Sequence, residues 1–126
     1  MSSDKSYLIL CADDSVTALT MKQMLLRSNG YRVVTAQDGQ EAVAKAESER
    51  PDLILMDVVM PKMTGFEAVQ RIRANAATRQ IPVIMVTTRA EPKVIETCYS
   101  LGCNDYVNKP VDGAVLLSKV RALVGA

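Results

Sequence analysis

Apolar residues along this chain fall into two alternating patterns. Short strand-like runs occur at Tyr7–Ala12, Arg32–Ala36, Leu53–Met56, Val83–Val86 and Asp105–Asn108. The third and fourth runs are apolar without interruption, as parallel strands covered on both faces must be. Between the runs, apolar residues recur at helical spacing, as at Val16, Leu19 and Leu26 within Ser15–Ser28. Asn29-Gly30 ends that first helix, with Gly30 suited to a left-handed terminal position. Asp38 opens a second helix, with Glu41 placed as its capping-box partner. It runs to about Ser48, and Pro51 prevents continuation. Thr64 and Glu67 cap a third helix through about Ala74. Pro92 fits the first turn of a fourth, which stops at Leu101-Gly102. Asp112 is an N-cap for the fifth, which reaches about Val124.

Five alternating strand–helix pairs predict an α/β fold. It is a doubly wound, five-stranded parallel sheet with five helices and right-handed crossovers. The expected strand order is the flavodoxin-like 2-1-3-4-5. No linker, repeat or low-complexity tract breaks the alternation, so residues 1–126 are expected to form one domain.

Charged residues stand at the strand ends. Asp13 and Asp14 follow the first strand and Asp57 the third; Lys109 follows the fifth and precedes Pro110. Charges at the ends of buried strands are costly unless they meet one another, a metal or a ligand. In this strand order the topological switch lies between strands 1 and 3, where ligands bind. The acids would repel one another by roughly 4 kcal/mol per pair about 4 Å apart at an effective dielectric near 20. Lys109 can supply one balancing charge and a divalent cation the rest. Oxygen ligation without histidine or thiolate suits Mg2+. Removing Asp13 or Asp14 is therefore expected to stabilise the metal-free fold.

Composition narrows the chemistry. The chain has no histidine. That excludes histidine metal sites, Ser-His-Asp catalysis and a phosphohistidine on this chain. Three cysteines without a C-x-x-C spacing argue against a disulfide framework or a zinc site. Cys11 reads as apolar filler of a core strand, whereas Cys98 and Cys103 flank a helix end and are expected to be partly exposed. A net charge of +1 supplies no field for nucleic acid or membrane. No apolar stretch reaches membrane-spanning length and no signal-peptide core is present, so a cytoplasmic location is expected.

Taken singly, Asp13 is an ordinary helix cap, Lys109 a solvated lysine, Thr87 a strand-end residue and Tyr106 a packing residue. Taken in order, the chain resembles the receiver domain of bacterial two-component response regulators along nearly its whole length. The resemblance rests on Asp13-Asp14, Asp57, Met60-Pro61-x-x-Thr64-Gly65, Thr87 and Asn108-Lys109-Pro110. It is nearest to stand-alone receivers typified by the chemotaxis regulator.

The resemblance implies a role for each residue. Asp57 takes a phosphoryl group from a phosphohistidine on a sensor histidine kinase or a histidine phosphotransfer protein. Asp14, Asp57 and the Val59 carbonyl ligate Mg2+, with Asp13 acting through water. Lys109 pairs with Asp57 and then with the phosphoryl oxygens. The Thr87 hydroxyl moves toward the phosphoryl group, and Tyr106 fills the space it leaves. Lys109-Pro110 is cis. A monomer is expected to signal to a target protein through its fourth helix, fifth strand and fifth helix, about Pro92–Val124. The chain would be a switch that catalyses only its own phosphorylation and dephosphorylation. Phosphoryl transfer depends chiefly on positioning and charge neutralisation, which this residue set supplies. The new dianion can then hold Thr87 in a new place.

Thr88, Val59 and Arg89 depart from the common pattern, and lead to the expectation of slow phosphoryl hydrolysis. Three alternatives fit these residues less well. A magnesium-dependent aspartyl-phosphate phosphatase would need an acid/base two residues after Asp57, where Val59 stands. A flavodoxin relative would need a phosphate loop that Asp13-Asp14 would repel. An unphosphorylated scaffold would not need the full acidic set. The sequence stops soon after the fifth helix, and a stand-alone receiver is expected on that ground rather than a piece of a longer protein.

Overall fold

A computed structural model describes residues 6–88 and 91–124 of the chain. Its elements alternate as β1 (Leu8–Ala12), α1 (Val16–Ser28), β2 (Arg32–Ala36), α2 (Gly39–Glu49) and β3 (Leu53–Asp57). They continue as α3 (Gly65–Ala74), β4 (Val83–Thr87), α4 (Pro92–Ser100), β5 (Asp105–Asn108) and α5 (Gly113–Val124). All strand pairs are parallel, in the order β2-β1-β3-β4-β5. The expected fold class and order are both found.

Strand alternation divides the core in two, because successive side chains point to opposite faces. Leu10, Ile54, Met56 and Met85 face one layer, where Ala42 and Ala46 of α2, Val69 and Ile72 of α3 and Cys98 of α4 meet them. Ile9, Cys11, Leu55, Ile84 and Val86 face the other, against Leu19 and Leu26 of α1 and Leu116 and Val120 of α5. Leu53, Ile54, Leu55 and Met56 are fully buried, so β3 is central on both faces.

Caps set the helix limits as the residues predict. The Ser15 side chain accepts a hydrogen bond from the Ala18 N–H at 3.2 Å, making it the cap of α1. The Asp38 carboxylate accepts from the Glu41 N–H at 2.8 Å. Glu41 does not close the expected reciprocal box; its carboxylate takes the Gln37 N–H, one residue earlier, at 2.7 Å. Thr64 and Glu67 form the complete box. Helices α1 and α4 both end in a left-handed glycine, Gly30 (φ 91) and Gly102 (φ 101). At each end, two hydrogen bonds turn back into the last turn. They run from the Gly30 and Tyr31 N–H groups to Arg27 and Leu26, and from Gly102 and Cys103 to Tyr99 and Cys98.

Two strands run one residue past their sequence-based limits. The Val58 N–H donates to the Val86 carbonyl at 3.0 Å and the Lys109 N–H to Thr87 at 2.8 Å, so Asp57 and Thr87 are the final residues of β3 and β4. The ladder therefore holds both backbones rigidly where the chemistry is expected.

Candidate functional site

The carboxyl ends of β1, β3, β4 and β5 bring the predicted side chains together. Asp13 and Asp57 are buried and Asp14 is exposed, and each offers an oxygen within 4.8 Å of the others. Lys109 Nζ lies 2.8 Å from Asp57 Oδ2 and 3.4 Å from Asp13 Oδ2. Thr87 is buried at the end of β4. Lys109-Pro110 is cis, as expected.

The turn after β3 depends on Gly65. Its N–H donates to the Val58 carbonyl at 2.9 Å, drawing the start of α3 against the end of β3. A Cβ there would collide with the Asp57 carbonyl oxygen. Asp57 Oδ1 accepts the Val59 N–H at 3.3 Å, a long contact. The Val59 side chain itself is 70% exposed beside the site.

One participant escaped the sequence reading. Lys22 of α1 is buried, and its Nζ donates to Asp13 Oδ2 at 3.0 Å. The other Asp13 oxygen accepts the Ser15 N–H at 2.9 Å. The acidic set is thus balanced by two lysines, not by Lys109 alone. The expectation that losing Asp13 stabilises the metal-free fold is corrected on this ground: without Asp13, Lys22 would be a buried charge without its partner, which is strongly unfavourable. The expectation stands on better ground for Asp14, which makes no hydrogen bond or ion pair among the described residues. A lysine between the core residues Leu19 and Leu26 was the available signal, since that stripe of an α-helix ordinarily stays apolar.

Electrostatics separate the two buried acids. Burial works to raise the pKa of Asp13, but the Ser15 N–H and the Lys22 ammonium outweigh it and hold the carboxyl below its ordinary value. Burial raises the Asp57 pKa; Lys109 opposes this, the Asp13 charge adds to it, and the net direction is upward. Burial acts to lower the pKa of Lys109, but the hydrogen bond and charge of Asp57, with Asp13 behind, raise it overall. Lys109 is therefore a firmly protonated cation that holds Asp57.

Tyr106 lies half-buried on β5. Its ring meets Tyr99 edge-on, with centroids 6.4 Å apart and planes at 84°. Lys119 Nζ sits 5.2 Å from the ring centroid and donates to Asp105 Oδ1 and the Tyr106 carbonyl, each at 2.8 Å. Cys98 and Cys103 are both buried, against the expectation of partial exposure. The turn that ends α4 folds Cys103 back over Cys98. Arg89 lies outside the described residues.

The donor set suits magnesium. Asp13, Asp14 and Asp57 offer hard carboxylate oxygens at one edge of the sheet, and their spacing is one that a single small cation can bridge. An open groove of about 480 Å³ runs beside the site between α1 and the start of α5, and Lys22 and Lys109 both line it.

The profile of the response regulator receiver domain matches residues 9–121. The chain belongs to this family. Protein PilH of Pseudomonas aeruginosa is 39% identical over 116 residues, covering 92% of this chain and 96% of PilH. Chemotaxis protein CheY4 of Vibrio cholerae superposes with a TM-score of 0.90 at 35% identity, over 94% of this chain and 99% of that one. The receiver domain of sensor histidine kinase PA1611 from Pseudomonas aeruginosa, solved with a magnesium ion coordinated in its active-site cleft, has a TM-score of 0.89 at 37% identity. That match covers 97% of this chain and 100% of the PA1611 chain. Other curated relatives are longer, and the chain spans only 48% and 17% of two of them. Receiver domains accept a phosphoryl group and signal, so this chain is a switch rather than a metabolic enzyme. The phosphatase and scaffold alternatives are not favoured. No helix among the described residues is long and apolar enough to cross a membrane.

Proposed function

We propose that Asp57 is the phosphoacceptor, in a magnesium-dependent transfer from a phosphohistidine of a sensor histidine kinase or phosphotransfer protein. The observation that carries this reading is the 2.8 Å contact between Lys109 and Asp57 at the end of the central strand, beside Asp13 and Asp14. Lys109 holds one Asp57 oxygen and so orients the carboxylate for in-line attack on phosphorus. The new O–P bond forms as the P–N bond to the donor imidazole breaks, and the ring keeps the bonding pair. Bound magnesium, held by Asp14, Asp57 and the Val59 carbonyl with Asp13 acting through water, would neutralise the charge of the transferred group. Lys109 then turns to the phosphoryl oxygens, and the Thr87 hydroxyl hydrogen-bonds them from the end of β4.

The same reading gives the molecule its output. Thr87 leaves space that Tyr106 enters, which alters the α4–β5–α5 face where a target protein binds. The chain acts as a single-domain monomer, and it catalyses only its own phosphorylation and dephosphorylation. Hydrolysis is slow, because the Val59 side chain offers no hydrogen bond to an attacking water.

Incubation with acetyl phosphate and Mg2+ is the test. One base-labile phosphoryl group should be added per chain, and Asp57→Asn should abolish it. Full labelling of Asp57→Asn, or labelling of wild type at an undiminished rate in a chelator, would overturn the reading.

A further inference from the structure

Among the described residues, Lys22 is the one lysine buried from solvent. It projects from the stripe of α1 that also carries Leu19 and Leu26, both core residues. Burying an ammonium costs several kcal/mol unless a partner receives it. Here the stem lines the groove between α1 and α5, and the head meets Asp13 Oδ2 at 3.0 Å. Both Asp13 oxygens are thereby engaged. Ser15 N–H holds Oδ1 at 2.9 Å, and Lys22, with Lys109 at 3.4 Å, holds Oδ2. Asp14 has no such engagement among the described residues, and Asp57 Oδ1 has only the 3.3 Å contact with Val59 N–H.

We propose that Lys22 is a positioning residue of the phosphoryl site: a tethered cation that keeps Asp13 out of direct metal coordination and sets a weak resting affinity for Mg2+. This inference rests on the function proposed above. Charge makes the argument. Three carboxylates against two ammonium groups leave the resting site with one net negative charge. With Lys109 alone the site would carry two, and would attract a divalent cation more strongly. After transfer the balance changes. Asp57 gives up its carboxylate charge to the acyl phosphate, whose phosphoryl group is a dianion. Asp13, Asp14 and that dianion present four negative charges. Two lysines and one divalent cation match them. Without Lys22 one negative charge is left over. Lys22 thus weakens the metal in the resting site and completes the charge balance of the phosphorylated one, where the charge added by the dianion raises the attraction for the cation.

The experiment is a magnesium titration of the full chain, followed by amide chemical shifts at low ionic strength. K22M should bind Mg2+ roughly three- to tenfold more tightly than wild type, the effect of removing one nearby charge from a partly solvated site. K22R, which keeps the charge, should stay within twofold. K22Q keeps an N–H donor for Asp13 and should behave like K22M; it carries the test if K22M does not fold. A residue with a purely structural role would shift the metal-free melting temperature and leave the magnesium affinity unchanged. K22M or K22Q binding Mg2+ no more tightly than wild type, while wild type labels normally at Asp57, overturns this inference alone. Wild type that neither binds Mg2+ nor labels at Asp57 overturns the proposed function and this inference with it.

Discussion

Cys11, Cys98 and Cys103 are free and buried, and two of them illustrate how burial governs a titratable side chain. Burial pushes the Cys11 thiol from 9.0 to about 12; the Lys22 charge works against the rise and the Asp13 charge adds to it. Burial likewise lifts Cys103 to about 12, with Cys98 adding to it. A raised folded-state pKa means that the native chain keeps protons the unfolded chain gives up. Stability is then unaffected below pH 9.0 and falls as pH rises from 9.0 toward 12. The loss approaches about 1.4 kcal/mol per thiol for each pH unit. Urea melts at pH 8 and pH 10.5 check this, and Cys11→Ala with Cys103→Ala should flatten the alkaline decline. At pH 8 a thiol reagent should label the chain only as it unfolds. Rapid labelling of native protein would contradict the burial of these residues.

At the level of elements, Arg73 joins the end of α3 to the segments that follow it. Its guanidinium donates to the carbonyls of Gly102 at 3.0 Å, Arg79 at 3.0 Å and Ile81 at 2.7 Å, and to Asn104 Oδ1 at 3.1 Å. Asn104 Oδ1 in turn accepts the Val83 N–H at 2.9 Å, the first residue of β4. The C-terminal end of α4 is therefore pinned at the start of β4, at the opposite edge of the sheet from Asp57. Arg73→Ala should cost about 1–2 kcal/mol, chiefly at the part-buried Ile81 carbonyl, because the other acceptors can turn to water. Arg73→Lys should recover only part of it, because an ammonium cannot reproduce the planar fork. Hydrogen exchange should accelerate at Cys103 and Asn104, whose N–H groups bond Cys98 and Val83. Labelling of Asp57 by acetyl phosphate should stay within a few-fold of wild type. Unchanged exchange in this turn would show that the bonds contribute little.

Across the whole molecule, the two core layers meet the site at one edge of the sheet. Under the proposed function, a charge change at Asp57 is passed to α4 through Thr87 and to β5 and α5 through Lys109 and Tyr106. Tyr106 is held between the Tyr99 ring and the Lys119 ammonium, so any rotation must loosen that set. With beryllofluoride and Mg2+, amide shifts should change most over residues 87–102 and at Tyr106 and Lys119. Lys119→Met should lower the restraint on Tyr106 and enlarge its response. Changes confined to α1 and α2 would count against coupling to the α4–β5–α5 face.

The order of elements, the sheet topology and the strand-end acids were legible in the sequence because each rests on local rules. Apolar runs mark covered strands, side-chain caps mark helix starts, and a parallel α/β order carries strand carboxyl ends to one edge. Asp13, Asp14, Asp57, Thr87 and Lys109 followed from those rules together with the family resemblance. Lys22 and Arg73 did not. Each is an unremarked base within a helix, and its partners lie on other strands and turns, at Asp13 for one and at Gly102, Ile81 and Asn104 for the other. The burial of Cys98 and Cys103 was equally hidden, since it depends on how α4 closes onto the sheet. The sequence by itself determined which groups stand at the edge of the sheet. Only the tertiary structure decided how their charges are shared, because Coulomb energy and desolvation depend on distance and burial, neither of which is a property of sequence spacing.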